Sequence, residues 1–449
     1  MKKLALIGLD CADPNLVEEF LPDLPTLREL IQGGSFARLR SVDPPITVPA
    51  WMCMMTGKDP GELGVYGFRN RTDYSYEGLG VATSARFSEP AVWDVLGRRG
   101  LRSILLGIPG TYPPKPVRGL CVSGFLAPDT NAEFTYPASL KGEIASWVGD
   151  YILDVREFRT EDKAWLIEQV HRMTEQRFAL ARRLIVEKEW DFFAMVEMGP
   201  DRIHHGLWAH YDPEHPKHDP QSPFRDALRE YYRFLDGRIA ELLSDLPGGT
   251  QVLVVSDHGA QAMQGGIGIN EWLIQEGYLV LKEYPDEPTR MGDLIKKGLV
   301  DWSRTVAWGE GGYYGRVFLN VAGREPQGTV PPKRYEEVRT ELAERLAAIP
   351  DEHGRPIGTR VFRPEELYRE VKGIPPDLIV YLGDLSFRSI GTVGWRRIHF
   401  HENDIGPDDA NHAPYGILIA YPGDGAGEER SILEVRDLIL AHFGIEEER

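Results

Sequence analysis

Asp257 and His258 stand side by side in SDHG (residues 256–259), and Asp201 precedes two histidines in PDRIHH (residues 200–205). Carboxylate and imidazole at such spacing make a donor set for a divalent transition metal such as zinc or manganese. Asp201 and His205 are four apart, so a helix there would put both on one face; His204, three apart, competes for the same place. Two further residues join them: Asp10, which ends LALIGLD, and His412 in ANHAPYG, just before an apolar run. One aspartate after a strand is usually a cap or turn residue, and one histidine in such a loop is ordinary polar surface. Three aspartates at strand ends, two of them accompanied by histidine, ask for more than local structure. Gly259, just past the Asp257–His258 pair, would permit an unusual backbone angle there.

A hydroxyl completes the chemistry. The stretch PPITVPAWMCMMTG (residues 44–57) starts a helix near Thr47, with Pro49 in its first turn and Trp51, Met52, Met54 and Met55 as apolar filling. Thr47 has two readings. It is an N-cap of a core helix, or it is a nucleophile shown to a phosphoryl group by the free N–H groups and positive dipole of a helix N-terminus. Threonine caps are common, so the stretch by itself reads first as a cap.

The elements that must position these residues are legible as short apolar runs: 4–9, 103–108, 191–198, 251–256, 377–382 and 416–421. Such runs suit a parallel sheet covered on both faces. Helical patterns lie between them, in LPTLRELIQGG and over 161–188 and 223–246. The alternation predicts an α/β fold, a mostly parallel central sheet sandwiched by helices. In such sheets ligands bind beyond the carboxyl ends of the strands, where Asp10, Asp201 and Asp257 fall. The chain reads as one domain over 1–449, with a smaller insertion or cap at about 280–330, where YPDEPTR and WGEGGYYGR break the rhythm. The histidines of the proline-rich stretch 211–223 read as solvated.

Composition narrows the class. The 449 residues carry a formal net charge of −18, with 42% hydrophobic and 27% charged residues, as in ordinary globular proteins. A nucleic-acid polymer or an anionic membrane would need a basic face, so neither is expected as a partner. Cys11, Cys53 and Cys121 stand far apart without a CxxC pair, which fits a reducing cytoplasm better than a disulfide framework. The opening MKKLALIGLD has too short an apolar run for a leader and reads as a buried strand. No apolar stretch approaches the length that spans a bilayer.

Asp10 after the first strand, TVP followed by TGKDP, PDRIHH, SDHG and NHAPYG occur in one order over residues 10–414. In that order they resemble the alkaline phosphatase superfamily and, within it, the type I phosphodiesterase/nucleotide pyrophosphatase branch. The resemblance implies two divalent metals, usually zinc, with manganese as the other candidate. Asp10, Asp257, His258 and the Thr47 oxygen would hold one; Asp201, His205 and His412 would hold the other. It also selects His205 over His204 and makes Thr47 the nucleophile. Relatives often carry a phosphate-binding Asn after the threonine helix; GVYGFRNR puts Phe68 there, leaving Asn70, Arg69 or Arg71 as the substitutes. Sulfatases of the superfamily need a CxPxR-type motif, which TVPAW does not match.

With neutral histidines, three carboxylates and two divalent cations would leave a centre of net charge near +1, a cationic pocket in an acidic protein. The implied reaction is in-line attack by Thr47 on a small-molecule phosphoester through a phosphothreonine intermediate. A phosphodiester is the expected substrate, because a centre of that charge gains little from a monoester's second negative charge. Arg69, Arg71, Arg396 and Arg397 are the residues that could reverse this preference. A phosphomonoesterase or phosphonate hydrolase on the same centre, a phosphoglycerate mutase-like transferase and a non-catalytic metal-binding protein are the alternatives.

Overall fold

Burial on both faces explains why five of the six apolar runs become inner strands of one sheet. The computed structural model describes residues 2–423, 427 and 429–446. In chain order the nine strands of the main sheet are β1 (Leu4–Leu9), β2 (Ser35–Arg40), β3 (Ser103–Leu106), β4 (Gly119–Val122), β5 (Thr135–Tyr136), β6 (Phe192–Glu197), β7 (Gln251–Val255), β8 (Tyr415–Tyr421) and β9 (Glu429–Ser431). Their spatial order is β9-β2-β8-β7-β1-β6-β3-β4-β5. Every residue of β1 and β6 is buried. β1 runs parallel to β6 and β7, with Leu9 opposite Glu197 and Gly8 opposite Val255. This register aligns the carboxyl ends of the three strands, so that Asp10, Asp201 and Asp257 leave the sheet at one edge.

Two runs behave differently from the sequence expectation. β8, the 416–421 run, pairs antiparallel with both β2 and β7. The 377–382 run forms Leu378–Tyr381, which lies in a separate antiparallel sheet beside Gly315–Leu319 and Arg360–Phe362. An apolar run reports burial on two faces and says nothing of strand direction. The main sheet is therefore mixed, and it is flanked by helices.

The described chain divides into two compact units. The first combines residues 1–63, 82–260 and 412–449 and contains the nine-stranded sheet. Long amphipathic helices, Lys163–Glu187 and Ala227–Ser244, arise where the apolar spacing placed them, and Gly199–Tyr211 packs with both. Asp236 on Ala227–Ser244 accepts the Thr26 and Leu27 N–H groups at 3.0 and 2.8 Å, closing the start of helix Pro25–Gln32. The second unit combines residues 64–81 and 261–411. It has its own core, including Trp272, Trp302, Trp308, Phe318 and Leu342, around the four-stranded antiparallel sheet. Segment 280–330, which broke the sequence rhythm, lies wholly inside this unit. None of the helices is long and apolar enough to cross a membrane among the described residues.

Candidate metal centre and nucleophile

Two clusters of buried ligand-type side chains form at the carboxyl edge of β1, β6 and β7, both within the first unit. One contains Asp10, Asp257 and His258; the other contains Asp201, His205 and His412. Within each, the donor atoms lie within 4.8 Å of one another. Asp10 and Asp257 come straight off their strands. Asp201 and His205 share one face of helix Gly199–Tyr211, with His205 Nε2 3.3 Å from Asp201 Oδ1. His412 Nε2 lies 3.8 Å from the same oxygen.

The imidazoles are set for ligation by their other nitrogens. His412 Nδ1 lies 2.7 Å from the Pro45 carbonyl and His258 Nδ1 lies 3.1 Å from the Gly259 carbonyl. A carbonyl only accepts, so each Nδ1 carries the proton and each Nε2 keeps its lone pair. The two rings stack with centroids 3.8 Å apart, which joins the clusters.

Thr47 opens helix Thr47–Thr56. Ile46, in extended conformation, takes the N-cap place, and no side chain caps the helix. The cap reading of Thr47 is thus corrected: as the first helical residue it cannot bond back to its own first turn. Its hydroxyl instead lies 3.3 Å from His258 Nε2.

Electrostatics make these clusters costly as they stand. Burial pushes the Asp10 carboxyl well above its usual range; the Asp201 charge adds to this, and the Trp51 hydrogen bond works against it. Asp257 is raised by burial and then by Asp10. Burial opposes ionisation of Asp201 as well, yet His205 and Arg202 outweigh it and hold that carboxyl well below its usual range. Burial pushes the His258 imidazole down to about 4 and His412 well below its ordinary value, so both rings are neutral near pH 7. Among the described residues, Asp10 Oδ1 and Asp257 Oδ2 are buried and receive no hydrogen bond. Orphaned carboxylate oxygens facing neutral imidazoles fit a divalent cation, which would supply the missing partner.

Several site residues carried no signal in the sequence. Trp51 donates Nε1–H to Asp10 Oδ2 at 2.6 Å, so this apolar filling residue is also a clamp. Cys11 adopts φ 64°, a left-handed conformation that a non-glycine residue holds at a cost. Its N–H thereby reaches Asp257 Oδ1 at 3.2 Å. Arg202, beside Asp201, donates to Asp201 Oδ2 and to both oxygens of Asp154. Gly259 is needed for a different reason than a special φ: a Cβ there would sit 2.3 Å from the Tyr415 carbonyl oxygen and 2.6 Å from an Asp13 carboxylate oxygen.

His204 points elsewhere. It is fully buried, lies 3.2 Å from the Tyr232 hydroxyl and stacks on that ring, outside both clusters. In the second unit, Asn70 uses both ends of its amide on a local turn, accepting from Tyr66 N at 2.7 Å and donating to the Gly67 carbonyl at 2.8 Å. Arg71 is buried in an ion pair with Glu325 at 2.9 Å. Arg69 is exposed, as are Arg396 and Arg397, which lie over the rings of Tyr284 and of Trp395 and Phe400.

The first unit thus joins a helix-flanked mixed α/β sheet to two carboxylate–imidazole clusters and a helix-initial threonine at the sheet's carboxyl edge, groups that could hold divalent cations. Comparison of the sequence with known families agrees. The chain belongs to the type I phosphodiesterase / nucleotide pyrophosphatase family, whose sequence profile matches residues 4–408. It is an enzyme of the phosphoric ester hydrolase class. No curated protein sequence matches it. Among solved structures it resembles phosphonoacetate hydrolase from Sinorhizobium meliloti 1021 in complex with phosphonoacetate, at 14% identity and TM-score 0.63, over 98% of this chain and 95% of that one. Human ectonucleotide pyrophosphatase / phosphodiesterase 5 is similar at 14% identity and TM-score 0.58, covering 100% and 96% of the two chains. The murine counterpart, an inactive threonine-to-alanine form in complex with AMP, is similar at 12% identity and TM-score 0.58, with 100% and 96% covered.

Proposed function

We propose that this chain hydrolyses a small phosphodiester at two divalent metal ions, zinc or manganese, with Thr47 as the nucleophile. The observation that carries this reading is the pair of buried clusters, Asp10–Asp257–His258 and Asp201–His205–His412, with the Thr47 hydroxyl 3.3 Å from His258. Each cluster would hold one ion, and Thr47 Oγ would join the first. Bound divalent cations would lower the pKa of the threonine hydroxyl and of water and offset phosphate charge.

Thr47 Oγ, having lost its proton, forms a bond to phosphorus as the bond to the leaving alcohol's oxygen breaks, and that oxygen takes up a proton. Water then cleaves the phosphothreonine, returning the hydroxyl and releasing a phosphomonoester. At the first position of its helix, Thr47 sits where unpaired first-turn N–H groups and the helix dipole favour an anion. The inactivity of the murine neighbour's threonine-to-alanine form supports a threonine in this role. We further propose one domain over 1–449 with a small insertion or cap at about 280–330, and a cytoplasmic setting, the latter supported by three buried free cysteines.

Metal analysis of the purified protein and paired assays test the reading. About two divalent ions per chain are expected, as a dinuclear centre requires. A synthetic aryl phosphodiester should be cleaved with higher kcat/KM than the matching monoester. A tenfold difference is only about 1.4 kcal/mol, so a clear monoester or phosphonate preference would move the substrate class and leave the two-metal centre standing. Absence of bound metal and of any hydrolysis would overturn the whole reading.

A further inference from the structure

Arg202 bonds Asp201, a member of the second cluster, and is itself firmly held. Its side chain is 8% exposed and that of Asp154 is 6% exposed. Nε and Nη2 engage Asp154 at 2.8 and 3.0 Å, a bidentate fork, while Nη1 reaches Asp201 Oδ2. Phe158 and Phe125 flank the guanidinium, with centroids 4.4 and 5.6 Å away. Phe158 also lies against the His205 ring at 5.6 Å.

Asp154 is itself anchored. Its neighbour Leu153 gives its carbonyl to Arg177 Nη2 at 3.1 Å, and Ile152 N–H donates to Gln176 Oε1 at 2.9 Å. Arg177 also donates to the Val196 carbonyl at 3.0 Å, near the end of β6. The segment that carries Asp154 is thus tied to both helix Lys163–Glu187 and the strand that leads into Asp201. The result is a division of labour between the two Asp201 oxygens: Oδ2 belongs to Arg202, and Oδ1 faces His205 and His412 at 3.3 and 3.8 Å. A free carboxylate would rotate about its terminal torsion, which is broad and roughly two-fold.

We propose that Arg202, gripped by Asp154, is a positioning residue that locks Asp201 as a one-oxygen ligand and so sets the metal affinity of the Asp201–His205–His412 site alone. This rests on the two-metal reading above. In the other cluster neutral donors hold the carboxylates instead: Trp51 and the Cys11 N–H take one oxygen each of Asp10 and Asp257. Planarity matters here: only a guanidinium can fork onto Asp154 while a further N–H reaches Asp201, so lysine keeps the charge and loses the geometry.

The test is competitive Zn2+ titration of chelator-treated protein, read as two stepwise affinities, for wild type, Arg202→Lys and Asp154→Asn. Each variant leaves a charged or hydrogen-bonding group in place, and thermal melts of the metal-free forms check folding. Losing an outer-shell partner typically costs about 10–100-fold in metal affinity. Both variants should weaken one of the two steps by about tenfold or more on that basis, and leave the other within error. Two unchanged steps in the folded variants would overturn the proposal. So would a tightened step, since Arg202 would then act as a competing cation. Equal weakening of both steps, tracking a drop in melting temperature, would make the pair merely structural. Failure of wild type to bind two Zn2+ ions would count against the two-metal reading itself.

Discussion

At the scale of single residues, the chemistry turns on which atoms are left over once local bonds are made. Thr47 is buried, does not cap its helix and lies beside His258. Replacing it with alanine removes one donor from a cluster that keeps two carboxylates and an imidazole. Thr47→Ala is therefore expected to retain fold and most of its metal, while turnover falls by about three orders of magnitude or more, as loss of a covalent nucleophile does. Thr47→Ser should keep measurable activity. Near-wild-type turnover by the alanine form, measured on an aryl phosphodiester, would remove Thr47 from the reaction. The neighbouring histidines separate just as cleanly. His205→Ala should lose bound metal and activity together. His204→Ala empties a packed position against Tyr232 and Trp208, so it should lower stability by a few kcal/mol, about 2–4 on the cost of deleting a large core side chain, with the metal content of the folded protein kept. Metal content by atomic emission, compared between the two variants, decides which histidine is the ligand.

At the scale of elements, the centre depends on how closely β1 and helix Thr47–Thr56 approach. Gly8 makes that approach possible. A Cβ at this position would lie 2.4 Å from Trp51 Cη2, 2.9 Å from the Met195 carbonyl and 2.9 Å from Val196 Cγ2. Two of these neighbours are aromatic or backbone atoms in a fully buried layer, so none yields at little cost. Overpacking of this kind typically costs about 1–3 kcal/mol. Gly8→Ala should show that loss in denaturant unfolding. It should also disturb catalysis, because the displaced Trp51 indole is the donor to Asp10 Oδ2. A stable variant with unaltered kcat and metal affinity would show that β1 and the helix have slack that the packing does not suggest.

At the scale of the whole molecule, the burial of three aspartates at one sheet edge links stability to cation binding. Without a cation, Asp10 and Asp257 carry a desolvation cost that their hydrogen bonds do not cancel. A ligand that binds only the folded chain stabilises it by mass action, about 2.7 kcal/mol at a hundredfold excess over its dissociation constant. Chelation should therefore lower the melting temperature by several degrees or more. Adding back Zn2+ or Mn2+ should restore it, whereas Mg2+, which prefers oxygen ligands in octahedral array, should do so poorly. Equal melting curves with and without chelator would argue that the clusters do not hold metal in the native state.

The linear sequence determined a good deal of this. Apolar runs located β1, β3, β6 and β7, because a strand buried on both faces must be apolar throughout. The strand-end positions of Asp10, Asp201 and Asp257 then followed from where those runs stop, and helix periodicity put either His204 or His205 on the face of Asp201. Strand direction did not follow, since β8 and Leu378–Tyr381 are as apolar as the parallel strands yet pair antiparallel. Nor did the limits of the second unit, whose two segments are separated by residues 82–260 and meet only through long-range packing. The fates of Trp51, Cys11, Arg202 and Asn70 were hidden for the same reason. Each is defined by its hydrogen-bond partner, and three of the four partners lie 41 or more residues away: Trp51 to Asp10, Cys11 to Asp257 and Arg202 to Asp154. Composition and periodicity report what a residue's own neighbourhood along the chain requires; only the folded backbone decides which distant carboxylate receives a given N–H.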